Sequence, residues 1–116
     1  MKRGVLKEKS FRFAVRIVNL YRHLCEERKE FVLSKQVLRS GTSVGAMVHE
    51  AEHSESKADF IHKMAIAQKE INETIYWLEL MLETEYLSNA AFESINDDAV
   101  ELIKMLTSSI KTAKSG

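Results

Sequence analysis

The chain has 116 residues, with 17 Lys or Arg against 17 Asp or Glu, no proline, four glycines, 45% hydrophobic and 29% charged residues. That length fits one domain, residues 1–116, able to bury its own core, and the lack of turn residues excludes a sheet fold in favour of an all-α one. No apolar run approaches a membrane span, and Lys7, Glu8 and Lys9 break the start before a signal-peptide core could form.

Four helices follow in chain order. The first is predicted over residues 6–28, ending in the charged stretch 26–30, and it holds Cys25, the lone cysteine. One cysteine makes no intramolecular disulfide, so the expectation is a reducing cytoplasm with Cys25 as a small buried hydrophobe. The second helix is predicted to start after Ser34, whose hydroxyl would accept from a first-turn amide, with Leu33 and Leu38 at hydrophobic-staple spacing, and to reach residue 53. The third follows Ser56, with Asp59 completing a capping-box-like pattern, and reaches residue 85. The fourth follows Ser88, with Leu87 and Phe92 at staple spacing, and runs into a Lys-rich tail. Four helices on short connections predict an antiparallel up-down bundle.

Apolar residues of the first helix, from Phe11 to Cys25, spread over roughly 220° at 100° per residue, wider than one bundle core needs. The third helix has its stripe at Phe60, Met64, Ala67, Ile71, Ile75, Leu78 and Leu82, with Ile66, Trp77 and Leu80 as a second strip opposite. Surplus apolar surface of this kind marks interfaces. Phe11, Val15, Ile66, Trp77 and Leu80 are therefore the predicted contacts of a homo-oligomer. In the second helix, the small residues of Ser40-Gly41-Thr42-Ser43-Val44-Gly45-Ala46 disfavour an isolated helix, and close approach by a neighbouring helix is the expected compensation.

His49-Glu50-Ala51-Glu52-His53 fits H-E-x-x-H, the zinc-protease pattern of two imidazoles on one helix face beside a general base, and Glu73 stands twenty residues on as a conceivable third ligand. Three points oppose the match. Both histidines project roughly 140–180° from the helix's apolar stripe. Glu73 falls on the outer side of the third helix. An all-helical chain also offers no sheet edge to hold an extended peptide. No catalytic residue, cofactor or metal is predicted, and a zinc-dependent hydrolase using His49, His53 and Glu50 is kept only as the alternative. His23 and His62 read as surface histidines.

Charge is unevenly placed: eleven Lys or Arg against four acids in residues 1–39, then three against thirteen in residues 40–103. Lys2, Arg3, Lys9, Arg12 and Arg16 form the candidate nucleic-acid surface, the last three recurring at i, i+3 and i+7 along one face where they could meet successive phosphates. No aromatic is expected to stack bases among them, so recognition would be of backbone or shape. Arg39 and Glu50, about three turns apart on nearly one face, are expected to be structural, with Glu73 as partner of Arg39.

The order Leu33-Ser34-Lys35-Gln36-Val37-Leu38-Arg39-Ser40, Ser43-Val44, Glu50, Ser56-Lys57-Ala58-Asp59-Phe60, Ile66-Ala67, Glu70, Glu73 and Tyr86-Leu87-Ser88 resembles the four-helix-bundle proteins of the 23S rRNA-intervening-sequence family. The resemblance implies a left-handed up-down bundle, frequently assembled as a ring-like homopentamer, no established enzymatic activity, and RNA or an RNA-associated protein as partner. Met47-Val48-His49-Glu50-Ala51 stands where the family usually reads Asn-Ile-Ala-Glu-Gly, and Glu85 where Gly is usual. A structural or protein-interaction module without nucleic acid is the remaining alternative.

Overall fold

The computed structural model describes residues 3–116, Arg3 by its backbone only. Four helices, α1 (Arg3–Glu26), α2 (Leu33–Ala51), α3 (Lys57–Glu83) and α4 (Asn89–Ser115), make up an all-α fold, with no strand among the described residues. The molecule measures 46 × 21 × 19 Å. A 27-residue helix is about 40 Å long, so α3 and α4 span nearly its whole length. Each helix packs on its neighbour in sequence, and α4 also meets α1.

The buried positions keep a step of alternating three and four residues. On α3 they are Phe60, Met64, Ala67, Ile71, Thr74, Leu78 and Met81, on α4 Ile95, Ala99, Leu102 and Leu106. This 3.5-residue repeat is that of helices interlocking side chains at a shallow angle. A rigid 100° projection drifts by about 20° per heptad from such a seam. That drift is why Ile75 and Leu82, expected in the core, are only half-buried, while Thr74 and Met81 hold the core positions.

Thr74 is a hydroxyl at the α2–α3 seam, and its burial is satisfied locally. Its Oγ1 lies 2.9 Å from Ser40 Oγ, and each hydroxyl reaches the carbonyl one turn back, Glu70 at 2.8 Å and Gln36 at 2.9 Å. Across the α1–α2 seam, the small residues do what their composition suggested. A Cβ on Gly41 would stand 2.7 Å from Ile17 Cγ1, and one on Gly45 3.1 Å from the Ser10 carbonyl oxygen. Helix α2 runs unbroken through both.

The helix ends explain the boundaries. Ser56 and Ser88 accept from the amides of Asp59 and Ala91, as expected, but Asp59 returns its carboxylate to the Glu55 amide rather than to Ser56. The predicted Ser34 cap is wrong. Helix α2 starts at Leu33, and the carboxylate of Glu30 accepts from the amides of Val32, Leu33 and Ser34 at 3.1, 2.9 and 2.7 Å, while Ser34 Oγ donates back to the Glu30 carbonyl. One carboxylate with two oxygens satisfies three of the free donors that a hydroxyl would satisfy singly. Helix α1 accordingly closes at Glu26 instead of residue 28. At the end of α3 the Tyr86 amide bonds the Met81 carbonyl and the Glu85 amide that of Leu82, a Schellman closure with Glu85 at φ 67°. Cys25 is half-buried, with Sγ 3.8 Å from Ser34 Oγ.

Candidate functional site

His49 lies in the last turn of α2 and His53 in the tight turn just past the helix end, closed by the bond from its amide to the Glu50 carbonyl three residues back. Both rings are exposed, edge to face, with centroids 5.5 Å apart. The acid proposed to complete a zinc set is committed elsewhere. Glu73 accepts from Arg39 and, at 3.0 Å, from Trp77 Nε1. Arg39 stands ten residues before His49 on α2, about 15 Å along the axis. Glu73 therefore does not meet the histidines, and among the described residues no three His, Cys, Asp or Glu side chains gather as a ligand set.

The Arg39 cluster ties α2 to α3. Its guanidinium also reaches Glu70 Oε1 at 3.3 Å and bonds Gln36 on its own helix, and Trp77 stacks edge-on against Tyr76 with centroids 5.0 Å apart. Glu50, expected to be structural three turns further along α2, carries an exposed side chain.

Lys9, Arg12 and Arg16 do share one side of α1, but each has found a carboxylate. Lys9 pairs with Glu101 at 3.1 Å, Arg12 with Glu8 at 3.1 Å, and Arg16 with Asp98 at 2.7 Å while also bonding the Ser94 hydroxyl and carbonyl. Two of the three pairs cross to α4. Much of the basic stripe is thus neutralised within the chain, a result the sequence could not display because the acids lie some eighty to ninety residues away. Lys2 and the Arg3 side chain lie outside the described residues.

The apolar surface is clearer. Phe11 is 67% exposed and Val15 45%, and Phe11 borders two depressions. One, about 610 Å³, runs between α1 and α2 past Gly4, Ala14, Gly45, Ala46 and His49; the other, about 460 Å³, lies toward α4 with Val15 and Asp98. Gly45 and Ala46 lay the floor of the first by lacking bulk. On α3 the expected strip is only half exposed: Ile66, Trp77 and Leu80 are each partly covered, Trp77 packing against the core. Tyr76, which the projection passed over, is the exposed large residue there at 57%.

The fold defines an all-α four-helix protein with a heptad-spaced core and an apolar strip on its first helix. No helix is long and apolar enough to cross a membrane among the described residues. The family model for the 23S rRNA-intervening sequence protein matches residues 4–108, and the chain belongs to that family. A solved structure from Bacteroides thetaiotaomicron, a protein of unknown function from the S23 ribosomal protein family, is 60% identical and superposes with a TM-score of 0.94, covering 96% of this chain and 99% of its own. No curated protein matches the chain.

Proposed function

We propose that the chain is a non-enzymatic binding protein that works as a homo-oligomer of antiparallel up-down bundles arranged in a ring, in the cytoplasm, with RNA or an RNA-associated protein as partner. The observation that carries the assembly is the Phe11–Val15 strip beside a groove floored by Gly45 and Ala46. Full burial of such a side chain gives about 1.5–3 kcal/mol, and the 67% of Phe11 and 45% of Val15 still in water make covering them worth roughly 1–2 kcal/mol each. The antiparallel reading is supported by pairings that advance on α1 as they retreat on its neighbours: Lys7 with Glu52 and Ile17 facing Gly41, Lys9 with Glu101 and Arg16 with Ser94.

The RNA part rests on the family's link to 23S rRNA intervening sequences and on Lys9, Arg12 and Arg16. Their ion pairs are exposed, and such pairs contribute about 0–1 kcal/mol, so phosphates can displace Glu101, Glu8 and Asp98 at small cost. Half-buried Cys25, with no second cysteine, fits a reducing compartment.

Sedimentation velocity tests the assembly. The wild type should run as one species several times the 13.3 kDa chain mass. Phe11→Asp should run as a monomer with unchanged helical circular dichroism. A wild-type monomer at all concentrations overturns the reading. RNA binding should weaken steeply with salt and lose slope in Arg16→Ala; binding that is absent or indifferent to salt leaves a protein-only interaction module.

A further inference from the structure

We infer that His49 and His53 form a two-imidazole site for a divalent late first-row transition metal, Cu²⁺, Ni²⁺ or Zn²⁺, at the C-terminal end of α2. This inference does not depend on the assembly or on RNA. It is also distinct from the peptidase reading, which needed a third protein ligand and a general base in a substrate cleft.

The first argument is distance. With metal–nitrogen bonds of about 2.0–2.1 Å pointing along the ring axes, each centroid stands about 3.2 Å from the ion, and a tetrahedral angle sets the two centroids about 5.2 Å apart. The rings stand 5.5 Å apart, an adjustment of about 0.3 Å that side-chain rotation supplies. The second argument is the backbone. The bond from the His53 amide to the carbonyl of Glu50, three residues back, closes a tight turn directly after Ala51, and this turn keeps the His53 ring beside that of His49. The third is electrostatic. The negative pole of α2 lies here and favours a bound cation.

Both rings are exposed, so coordination costs little desolvation and the remaining positions of the ion stay open to water or to a donor brought by a partner. His49 also borders the groove beside Phe11, which places the ion at its rim. Imidazole is a borderline ligand, so the order of affinity should follow Cu²⁺ above Ni²⁺ and Zn²⁺. Magnesium and calcium, which demand oxygen, should not bind there.

Isothermal titration of the purified full chain with Cu²⁺, Ni²⁺ and Zn²⁺ salts tests the site, with thermal melting as a second readout. The expected result is one metal per chain with a rise in melting temperature reversed by a chelator. His49→Ala and His53→Ala should each weaken binding by at least about tenfold, or about 1.4 kcal/mol. His62→Ala, an exposed histidine without a ring partner, should leave it unchanged. Both ring variants change exposed side chains, and melting without metal checks that they remain folded. Equal binding by wild type and the His49/His53 double variant, or no binding by the wild type, overturns the proposal and leaves the rings as an edge-to-face pair.

Discussion

Gly41→Ala is expected to destabilise the protein even though it places the best helix former inside a helix. Propensity alone would favour the substitution by about 1 kcal/mol. The new Cβ would meet Ile17 Cγ1, Cγ2 and Cδ1 at 2.7, 2.9 and 3.0 Å. Carbon pairs are comfortable at about 3.5–4.0 Å, so each contact is short by roughly half an ångström to one ångström. Ile17 is fully buried and stiff at χ1, and it must leave its rotamer or push α1 away from α2. Overpacking of that kind costs about 1–3 kcal/mol, so the net loss is about 1 kcal/mol and at most about 2. Urea unfolding at one fixed protein concentration reads it as a lower midpoint with an unchanged slope. In an Ile17→Ala background the clashing carbons are gone, and Gly41→Ala should stabilise by about 1 kcal/mol, reversing its sign. Ile17→Val keeps both γ carbons and should not rescue. If Gly41→Ala stabilises the wild-type background, or acts equally in both, α1 and α2 do not approach as described.

Burial pushes the Glu30 carboxyl up, but the amides of Leu33, Ser34 and Val32 and the Ser34 side chain pull it down further, below its ordinary 4.5. A lowered carboxyl gives stability that is complete above the unfolded value and is lost as pH falls from about 4.5 through the folded one. Glu30→Gln should cost about 1–2 kcal/mol at neutral pH and flatten that acid slope in urea titrations; an unchanged slope would refute the cap. Asp59, lowered chiefly by its bond from Lys63, leaves a remaining slope in the variant. Glu85→Gly should raise stability by about 0.5–1 kcal/mol, because φ 67° strains any residue with a Cβ and the bond from Arg28 uses only the Glu85 carbonyl. A loss in thermal melting would show that the Glu85 side chain matters. Arg39→Ala should cost about 1 kcal/mol with assembly unchanged, since its pairs with Glu70 and Glu73 are partly exposed and Trp77 still holds Glu73; unchanged stability removes the structural assignment.

Helix number, the Ser56 and Ser88 caps and the tight α1–α2 approach were legible because each depends on residues within one turn or on a run of small side chains. The α2 start was not. Its capping group is Glu30, a residue type that the hydroxyl-and-Asp rule passes over, acting from three residues upstream of Leu33. The α3 core was read one position late at Thr74 and Met81 because underwinding accumulates along 27 residues and no local signal marks it. Glu85 shows a third case: a departure from an expected glycine marked a left-handed position whose geometry is kept at the expense of strain.

The charge pattern carries the argument furthest from sequence to function. A basic first helix and an acidic middle suggested an exposed cationic face, yet Lys9 and Arg16 take their acids from α4, and Lys7 takes Glu52 at the end of α2. Part of the asymmetry along the chain is therefore a folding device that joins the first helix to its two neighbours. Between those pairs α1 leaves Phe11 and Val15 in water, as it does Val5 nearer its start. An apolar strip edged by satisfied ion pairs favours a partner that is apolar at its centre and tolerant of charge at its rim, the form of a protein interface rather than of a phosphate track. If RNA is bound, the sharper expectation is that it contacts cations brought together by several copies, so that Phe11→Asp, which touches no phosphate, should weaken RNA binding along with assembly. RNA affinity unaffected by loss of the oligomer would separate the two activities and place the RNA contact on the single chain.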